Sequence, residues 1–355
     1  MLYIVFTTGR CNLKCSYCGG SFPKHLVPWK VEYRIEQLVD FLSQDPNSVV
    51  AFYGGEPLLN ERFIIELMDS FEATYVIQTN GLLHERLESA YWRRFNTVLL
   101  SIDGDENLTD AFRGRGVYKR VLKTAKWLRD IGFEGDIVAR MTVTEQSDIY
   151  RDINHLISLK LFDHIHWQLN VVWSPRWRDF KGWLDKNYKP GLNALVKLWI
   201  KNLSEGKILG LAPLQGILKR VISNGSSPPC GAGVNSFSIL TNGTILACPI
   251  AIDAPWARLG DIYSLTPRDL PGRITIGEPC ISCRIFRICG GRCLYAHIER
   301  LWGIDGFRDV CEATNYLVER ILEVKPFVDK LVADGLVDQS ELLYPAFNNT
   351  VEIIP

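Results

Sequence analysis

The feature that most limits how this chain can fold is an alternation of strand-like and helix-like runs over its first half. Runs rich in β-branched and aromatic residues are separated by helical periods such as those at 31–42 and 117–128. Such units in series predict an α/β fold with a parallel sheet and outer helices, and six units predict an open, partial barrel. The predicted strands are 2–8, 49–53, 75–78, 98–102, 137–143 and 164–172.

Composition narrows the class of protein further. The chain has 355 residues, of which 47% are hydrophobic, so it is expected to be globular with more than one domain. Lys plus Arg and Asp plus Glu both number 40, so bulk charge predicts neither a nucleic-acid partner nor a membrane partner. The first apolar run is too short for a signal peptide or a spanning helix, which predicts a cytoplasmic location. In that compartment ten cysteines favour metal ligands over disulfides.

Three of the cysteines directly follow the first predicted strand with the spacing Cys-x3-Cys-x2-Cys, at Cys11, Cys15 and Cys18. Three thiolates can hold three irons of a [4Fe–4S] cube and leave the fourth iron free. Half of a zinc site is the alternative, with His25 as its only local fourth ligand. The triplet resembles the radical SAM family, which implies a partial (β/α)6 TIM barrel that binds S-adenosylmethionine and generates a 5′-deoxyadenosyl radical.

The resemblance extends to the loops after later strands. Gly54-Gly55-Glu56 follows the second strand, where the family binds the amino group of S-adenosylmethionine, and two glycines would let the backbone approach a ligand closely. The segment 110–114 resembles another family segment, with Thr109 in place of its usual histidine. Each element alone could equally be an ordinary turn or a surface pair. The implied cofactor contacts are Tyr17, Gly54, Gly55, Glu56, Asn80, Ser101 and Arg140.

The other seven cysteines lie between residues 230 and 311, in a spacing that resembles the SPASM domain of auxiliary [4Fe–4S] clusters. Zinc ribbons are the alternative, although Cys-x5-Cys-x3-Cys is not a ribbon spacing. The resemblance implies an outer cluster on four cysteines and an inner cluster on three, and three [4Fe–4S] clusters in all. The implied outer ligands are Cys280, Cys283, Cys289 and Cys311, and the inner ligands are Cys230, Cys248 and Cys293.

These patterns divide the chain into four predicted parts. They are a radical SAM barrel at 1–175, a helical bridge at 176–229, a SPASM domain at 230–325 and a tail at 326–355. The breaker cluster 224–229 marks one boundary. A helix from Glu312 is expected to bend or end at Pro326.

SPASM proteins mostly modify peptides, so the resemblance implies a peptide or protein maturase. Its radical would abstract hydrogen from a peptide residue, leading to a crosslink or an oxidation, with a reductant such as ferredoxin or flavodoxin. The auxiliary clusters would accept an electron or ligate the substrate. Sulfatase-maturing relatives carry an aspartate directly after the Cys248 equivalent, and Pro249 stands there in this chain, which disfavours that activity. Because the chain begins at the first strand, leader-peptide recognition is expected to come from elsewhere or to be absent.

Two other classes stay open at this point: a radical SAM enzyme for a small molecule or cofactor precursor, and a non-catalytic iron–sulfur electron-transfer protein. Tyr295 and His297 are weak candidates for proton transfer because they lie close to Cys293. The inner cluster either keeps an open iron that faces substrate or is closed by a side chain such as Asp253 or His297. Four tryptophans could line the substrate mouth, although such density is more typical of a core: Trp167, Trp173, Trp177 and Trp183.

Overall fold

The computed structural model describes residues 1–223, 225–345 and 347. Its centre is one sheet of ten strands. The strands are β1 Leu2–Thr8, β2 Val49–Gly54, β3 Thr74–Thr79, β4 Phe95–Ser101, β5 Asp136–Val143, β6 His164–Leu169, β7 Gly210–Leu211, β8 Ser236–Ile239, β9 Thr244–Leu246 and β10 Arg258–Asp261. The sheet order is β10-β9-β8-β1-β2-β3-β4-β5-β6-β7, and all pairs from β8 to β7 are parallel.

The six predicted strands are confirmed, each within three residues at either end, and so is the α/β class. All seven residues of β1 are buried, as expected for a strand covered on both faces. The order is linear among the described residues, so the barrel is open. Strand β8 pairs in parallel with β1, so the cysteine-rich region extends the sheet of the barrel at its β1 edge.

Helices cover the outside of the sheet. Helix α1 shows why they form, because Ile35, Leu38, Phe41 and Leu42 recur at helical spacing and are all buried. Burying each such side chain contributes about 1.5–3 kcal/mol. The helices are α1 Ile35–Leu42, α2 Glu61–Ser70, α3 Ser89–Trp92, α4 Glu106–Arg113, α5 Val117–Asp130, α6 Ile149–Ser158, α7 Phe180–Trp183, α8 Lys189–Ser204, α9 Ala212–Ser223, α10 Phe286–Cys289, α11 Leu294–Glu299, α12 Gly303–Ala333 and α13 Gln339–Leu342.

Helix α12 differs from the expectation. It begins nine residues before Glu312 and continues through Pro326 to Ala333, so of the two predicted alternatives, a bend or an end at Pro326, the end is wrong. Proline removes one backbone hydrogen bond and costs about 3 kcal/mol inside a helix. Here the residues on both sides are held by packing, since Ile321 and Val328 are buried.

The four-part division of the chain stays a prediction, although the sheet and α12 both run across its boundaries. Of the predicted breaker cluster and tail, Asn224 and residues 346 and 348–355 lie outside the described residues. Among the described helices, none has the length and apolar character needed to cross a membrane.

Candidate active site

A cavity of about 230 Å³ lies where the parallel strands end, and the first cysteine loop opens into it. This is the edge of the sheet at which the topology of parallel strands gathers functional loops. The structure brings every predicted cofactor contact to this one cavity. The lining includes Cys11, Cys15, Tyr17, Cys18, Gly54, Gly55, Glu56, Asn80, Ser101 and Arg140.

A buried ion pair fastens the cysteine loop to the rest of the barrel. The guanidinium of Arg113 donates to both carboxylate oxygens of Asp103, at 2.8 and 2.7 Å. The hydroxyl of Tyr17, between the second and third cysteines, donates to the same carboxylate at 2.9 Å. The Arg113 guanidinium also lies 5.4 Å from the centre of the Tyr17 ring, in a cation–π contact. We call Tyr17, Asp103 and Arg113 the loop clamp.

Sequence reasoning noted the segments that contain Asp103 and Arg113 but gave neither residue a role. The available signal was a carboxylate two residues after the end of β4, followed ten residues later by an arginine at the end of α4. A salt bridge of opposite charges at that spacing is common on surfaces, so only the packing reveals that this one is buried.

A second set of contacts joins the loop to β2 and β3. The side-chain amide of Asn80 donates to Asn12 in the loop at 2.8 Å. The backbone N–H of Asn80 donates to a carboxylate oxygen of Glu56 at 2.8 Å, and the N–H of Glu56 donates to the carbonyl of Arg10. Asn80 therefore lines the cavity with its amide already engaged in holding the loop.

The structure shows one contact that requires glycine at both positions 54 and 55. A Cβ on Gly54 would lie 2.2 Å from the carbonyl oxygen of Thr8, and one on Gly55 would lie 2.2 Å from that of Arg10. Gly54 also has a φ of +135°, which disfavours other residues. The close approach is therefore to the backbone that leads into the cysteine loop.

Glu56 is a buried carboxyl group with three hydrogen-bond donors. Oε1 accepts from the Thr79 hydroxyl at 2.7 Å and the Leu58 N–H at 3.2 Å, and Oε2 accepts from Asn80. Burial raises the pKa of Glu56 to about 7, although these donors oppose the shift. A cationic group in the cavity would favour the ionised form of this carboxyl.

Arg140 also lines the cavity and contributes a positive charge, opposite in sign to the carboxylate of Glu56. Its guanidinium donates to the side-chain oxygens of Gln78 at 3.3 Å and Gln168 at 2.6 Å, and it lies 3.0 Å from Nδ1 of His166. Among the described residues, Arg140 has no carboxylate partner. The cavity therefore offers one carboxyl group and one unneutralised guanidinium, which match the ammonium and carboxylate of an amino acid.

The thiols of the loop are polarised by their neighbours. A hydrogen bond from Cys15 lowers the pKa of Cys18 to about 6 and raises that of Cys15. The positive charge of Arg113 acts to lower the pKa of both thiols, although the net pKa of Cys15 stays raised. Burial raises the pKa of Cys11 to about 11. Thiolate is the form that binds metal, so the clamp arginine also favours ligation.

The predicted outer cysteine set converges on a second, smaller cavity of about 40 Å³. Cys280, Cys283, Cys289 and Cys311 all line it, together with Arg292. Burial raises the pKa of Cys289 to about 12 and that of Cys280 to about 11, and Arg292 opposes both shifts. No three His, Cys, Asp or Glu side chains in the described ranges converge closely enough to hold a single metal ion.

His297 lies beside the outer set. Its Nε2 accepts from the backbone N–H of Gly277 at 3.0 Å, and its Nδ1 lies 3.1 Å from a guanidinium nitrogen of Arg300 and 3.4 Å from Sγ of Cys280. Burial lowers the pKa of His297, and Arg300 acts in the same direction, which keeps the ring neutral. Both ring nitrogens are thus engaged, and neither faces the main cavity.

The three predicted inner ligands, Cys230, Cys248 and Cys293, belong to one small apolar core. Cys293 precedes α11, and its Sγ accepts from the N–H of Ala296 at 3.5 Å. The residues directly after Cys248, Pro249 and Ile250, line the main cavity. The inner set therefore lies next to the wall of the candidate active site.

The tryptophans divide into two groups. Trp167, Trp177 and Trp183 are buried, whereas Trp173 is 42% exposed, lines the main cavity and has a φ of +57°. The side chain of Trp173 also interacts with Tyr295, which does not itself line the cavity. Of the four, Trp173 alone is placed to contact a substrate in this cavity.

Comparison with known proteins agrees with this geometry. Residues 5–156 match the Radical SAM superfamily. The chain is 25% identical over 337 residues to the cysteine-type anaerobic sulfatase-maturating enzyme of Clostridium perfringens, covering 82% of this chain and 88% of that enzyme. The chain therefore carries a radical SAM domain, and a cysteine-rich region follows it.

Solved structures show the same fold. A structure of anSMEcpe with bound AdoMet has a TM-score of 0.73 at 19% identity and covers 94% of this chain and all of that one. The same enzyme was also solved with the Cp18Cys peptide. Streptococcus suis SuiB bound to its precursor peptide SuiA has a TM-score of 0.57 at 18% identity, covering 85% of this chain and 73% of SuiB.

Proposed function

We propose that this enzyme modifies a peptide or protein by radical chemistry that begins with the reductive cleavage of S-adenosylmethionine. The observation that carries the proposal is the shared cavity, because the cysteine triplet, the carboxyl of Glu56 and the guanidinium of Arg140 all line it. S-adenosylmethionine carries an ammonium group and a carboxylate, which these two side chains complement. The other residues predicted to contact S-adenosylmethionine, which include Tyr17 and Ser101, are also part of the proposal.

The donor sets fit the clusters that the proposal needs. Cys11, Cys15 and Cys18 would hold a [4Fe–4S] cluster with one open iron, and the four outer cysteines would hold a fully ligated one. The inner three would hold a third cluster. When bound, these clusters supply the electron that generates the 5′-deoxyadenosyl radical and can accept an electron from the substrate. The protein contributes the thiolates, the clamp that fixes the first loop, and Arg292 beside the outer set.

A peptide substrate is supported by the cavity wall and by the relatives. Trp173, Pro249 and Ile250 form the side of the cavity nearest to the inner cysteines, and this wall is aromatic and apolar. Such a surface suits a peptide side chain that must lie between the cofactor and an auxiliary cluster. Two relatives with the same fold were solved with peptides bound.

The reaction proposed is a crosslink or an oxidation that begins with hydrogen abstraction. Glu56 is the one carboxyl group among the described residues that line the cavity, and no imidazole lines it. Pro249 occupies the wall where sulfatase-maturing relatives are expected to carry an aspartate, so the cavity lacks that proton acceptor. The geometry therefore favours a peptide substrate other than a sulfatase. A cytoplasmic location and an acidic one-electron donor complete the proposal.

Anaerobic reconstitution tests the function. The holoenzyme, given S-adenosylmethionine and dithionite, should form 5′-deoxyadenosine and contain about twelve irons per chain by the ligand count. Short peptides encoded beside the gene are then added as substrates, and mass spectrometry should detect a loss of hydrogen in one of them. Absence of 5′-deoxyadenosine would indicate an electron-transfer protein. Turnover of a cofactor precursor in place of every such peptide would identify the small-molecule alternative.

A further inference from the structure

A second groove of about 620 Å³ begins where β1 leads into the first cysteine loop, and its lining shares no residue with that of the active-site cavity. Its walls come from the end of β1, the segment before α1 and the first turns of α2. Nothing in the proposed cleavage of S-adenosylmethionine uses this groove. Its lining includes Thr8, Arg10, Trp29, Lys30, Tyr33, Arg34, Glu36, Asn60, Arg62 and Glu66.

The groove is basic and its charges are available. Four exposed cations line it, Arg10, Lys30, Arg34 and Arg62, against two exposed carboxylates, Glu36 and Glu66, so its lining carries a net positive charge. In the part of the chain that the structure describes, none of the four forms an ion pair. The excess of positive charge extends along the neighbouring segment. Residues 9–34 carry five Lys or Arg and one Glu, although the net charge of the whole chain is zero.

The groove and the active-site cavity are lined by consecutive residues of the chain. Arg10 lines the groove, and the next residue, Cys11, lines the active-site cavity. The Arg10 guanidinium lies 5.7 Å from the centre of the Trp29 ring, which is 40% exposed. Exposed tryptophan beside arginine is the combination that protein interfaces favour at their centres.

We propose that this basic groove is the docking surface for a small acidic protein that carries one electron. The inference rests on the proposed function, which requires one electron per S-adenosylmethionine cleaved. The carrier would lose one electron at the groove, and the cluster that Cys11, Cys15 and Cys18 would hold would gain it. A negatively charged carrier would be steered to the four cations, and salt would screen that attraction.

Charge reversal in the reconstituted holoenzyme tests the proposal. Lys30→Glu/Arg62→Glu reverses two cations that line the groove and do not line the active-site cavity. Lys126→Glu/Lys197→Glu is the matched control, with the same change of net charge at exposed residues elsewhere. The electron donor is a reduced, acidic two-cluster [4Fe–4S] ferredoxin at low ionic strength. Dithionite, which needs no docking surface, serves as the second donor.

With ferredoxin, the groove variant should form 5′-deoxyadenosine about ten-fold more slowly than wild type, and the control variant should not. With dithionite, all three proteins should react at one rate. Added salt should slow wild type and leave the groove variant almost unaffected. Equal ferredoxin rates in the groove variant and wild type would overturn the proposal. A groove variant that forms 5′-deoxyadenosine with ferredoxin at the wild-type rate but binds an acidic peptide more weakly would also overturn the proposal. In that case the groove binds a peptide and not the electron carrier. Failure of wild type even with dithionite would instead refute the proposed function.

Discussion

The first cysteine loop and the outer cysteine set hold thiols in opposite ways. The loop presents three cysteines to an open cavity of about 230 Å³ that also contains charged side chains for a ligand. The outer set presents four cysteines to a cavity of about 40 Å³ that has Arg292 as its one charged non-cysteine neighbour among the described lining residues. Three ligands and free space suit a cluster that binds substrate, whereas four ligands and little space suit one that only exchanges electrons.

The two regions are also stabilised differently. The loop contains little apolar side chain, so it depends on the clamp and on Asn80 to keep its shape. The outer set is packed among helices, with Phe286 and Phe307 in its wall. The inner set lies between these cases, because it has three cysteines in an apolar core and a wall shared with the main cavity. We therefore expect that a substitution in the loop abolishes the cleavage of S-adenosylmethionine. A substitution in the outer set should prevent only the later modification of the peptide.

Removing one cysteine from each region gives the largest expected contrast. Cys15→Ala should abolish 5′-deoxyadenosine formation, because the first cluster loses a ligand. Cys283→Ala should retain some 5′-deoxyadenosine formation but yield no modified peptide. Liquid chromatography of the nucleoside and mass spectrometry of the peptide measure the two steps separately. Equal loss of 5′-deoxyadenosine in both variants would show that the regions do not act separately.

Breaking the clamp should destabilise the protein through the loop. Arg113→Met leaves the Asp103 carboxylate buried without its cation, and we expect a loss of about 3–5 kcal/mol in the free energy of unfolding. Arg115→Met, an exposed change two residues away, is the control and should stay within about 0.5 kcal/mol of wild type. Urea unfolding of the reconstituted protein measures both.

Replacing both charged partners distinguishes a buried ion pair from simple loss of packing. Arg113→Met/Asp103→Leu should recover part of the stability, since no unpaired charge remains. Arg113→Lys should recover little, because lysine cannot donate to both carboxylate oxygens in one plane. A double variant as unstable as Arg113→Met would contradict this account of the clamp.

The pKa of Glu56 predicts how S-adenosylmethionine affinity depends on pH. The ionised carboxylate is the form that attracts the ammonium group, and burial raises its pKa to about 7. Affinity should therefore increase as the pH rises through 7 and weaken about ten-fold between pH 8 and pH 6. Equilibrium dialysis with the oxidised holoenzyme measures the dissociation constant. Glu56→Gln should bind weakly at every pH, and a steep pH profile in that variant would assign the titration to another group.

The sequence predicted those features that depend on local pattern or on spacing. Buried β-branched runs identified the six strands, and cysteine spacing identified the triplet that shares a cavity with Glu56 and Arg140. Features that depend on contacts between distant segments were missed. The packing of Gly54 against Thr8 and the bond from Tyr17 to Asp103, 86 residues apart, leave no local signal. Helix α12 continued through Pro326 for the same reason, because tertiary packing outweighs a local preference.

The smallest expected effect concerns the outer set, and it sharpens the contrast between a ligand-binding cluster and an electron relay. Nδ1 of His297 lies 3.1 Å from the Arg300 guanidinium and 3.4 Å from Sγ of Cys280, so His297 helps to hold the positive charge of Arg300 near this sulfur. A positive charge beside a ligating sulfur stabilises the reduced, more negative cluster and raises its potential. His297→Leu should therefore lower the potential of the outer cluster, measured by redox titration monitored by EPR, and leave that of the first cluster unchanged. His297→Gln, whose amide can both donate and accept, should stay closer to wild type and serves as the control if the leucine variant loses iron. An unchanged outer potential in a leucine variant of full iron content would show that this contact does not tune the relay. An effect on the first cluster would show that the two regions are electrically coupled, contrary to the separation argued here.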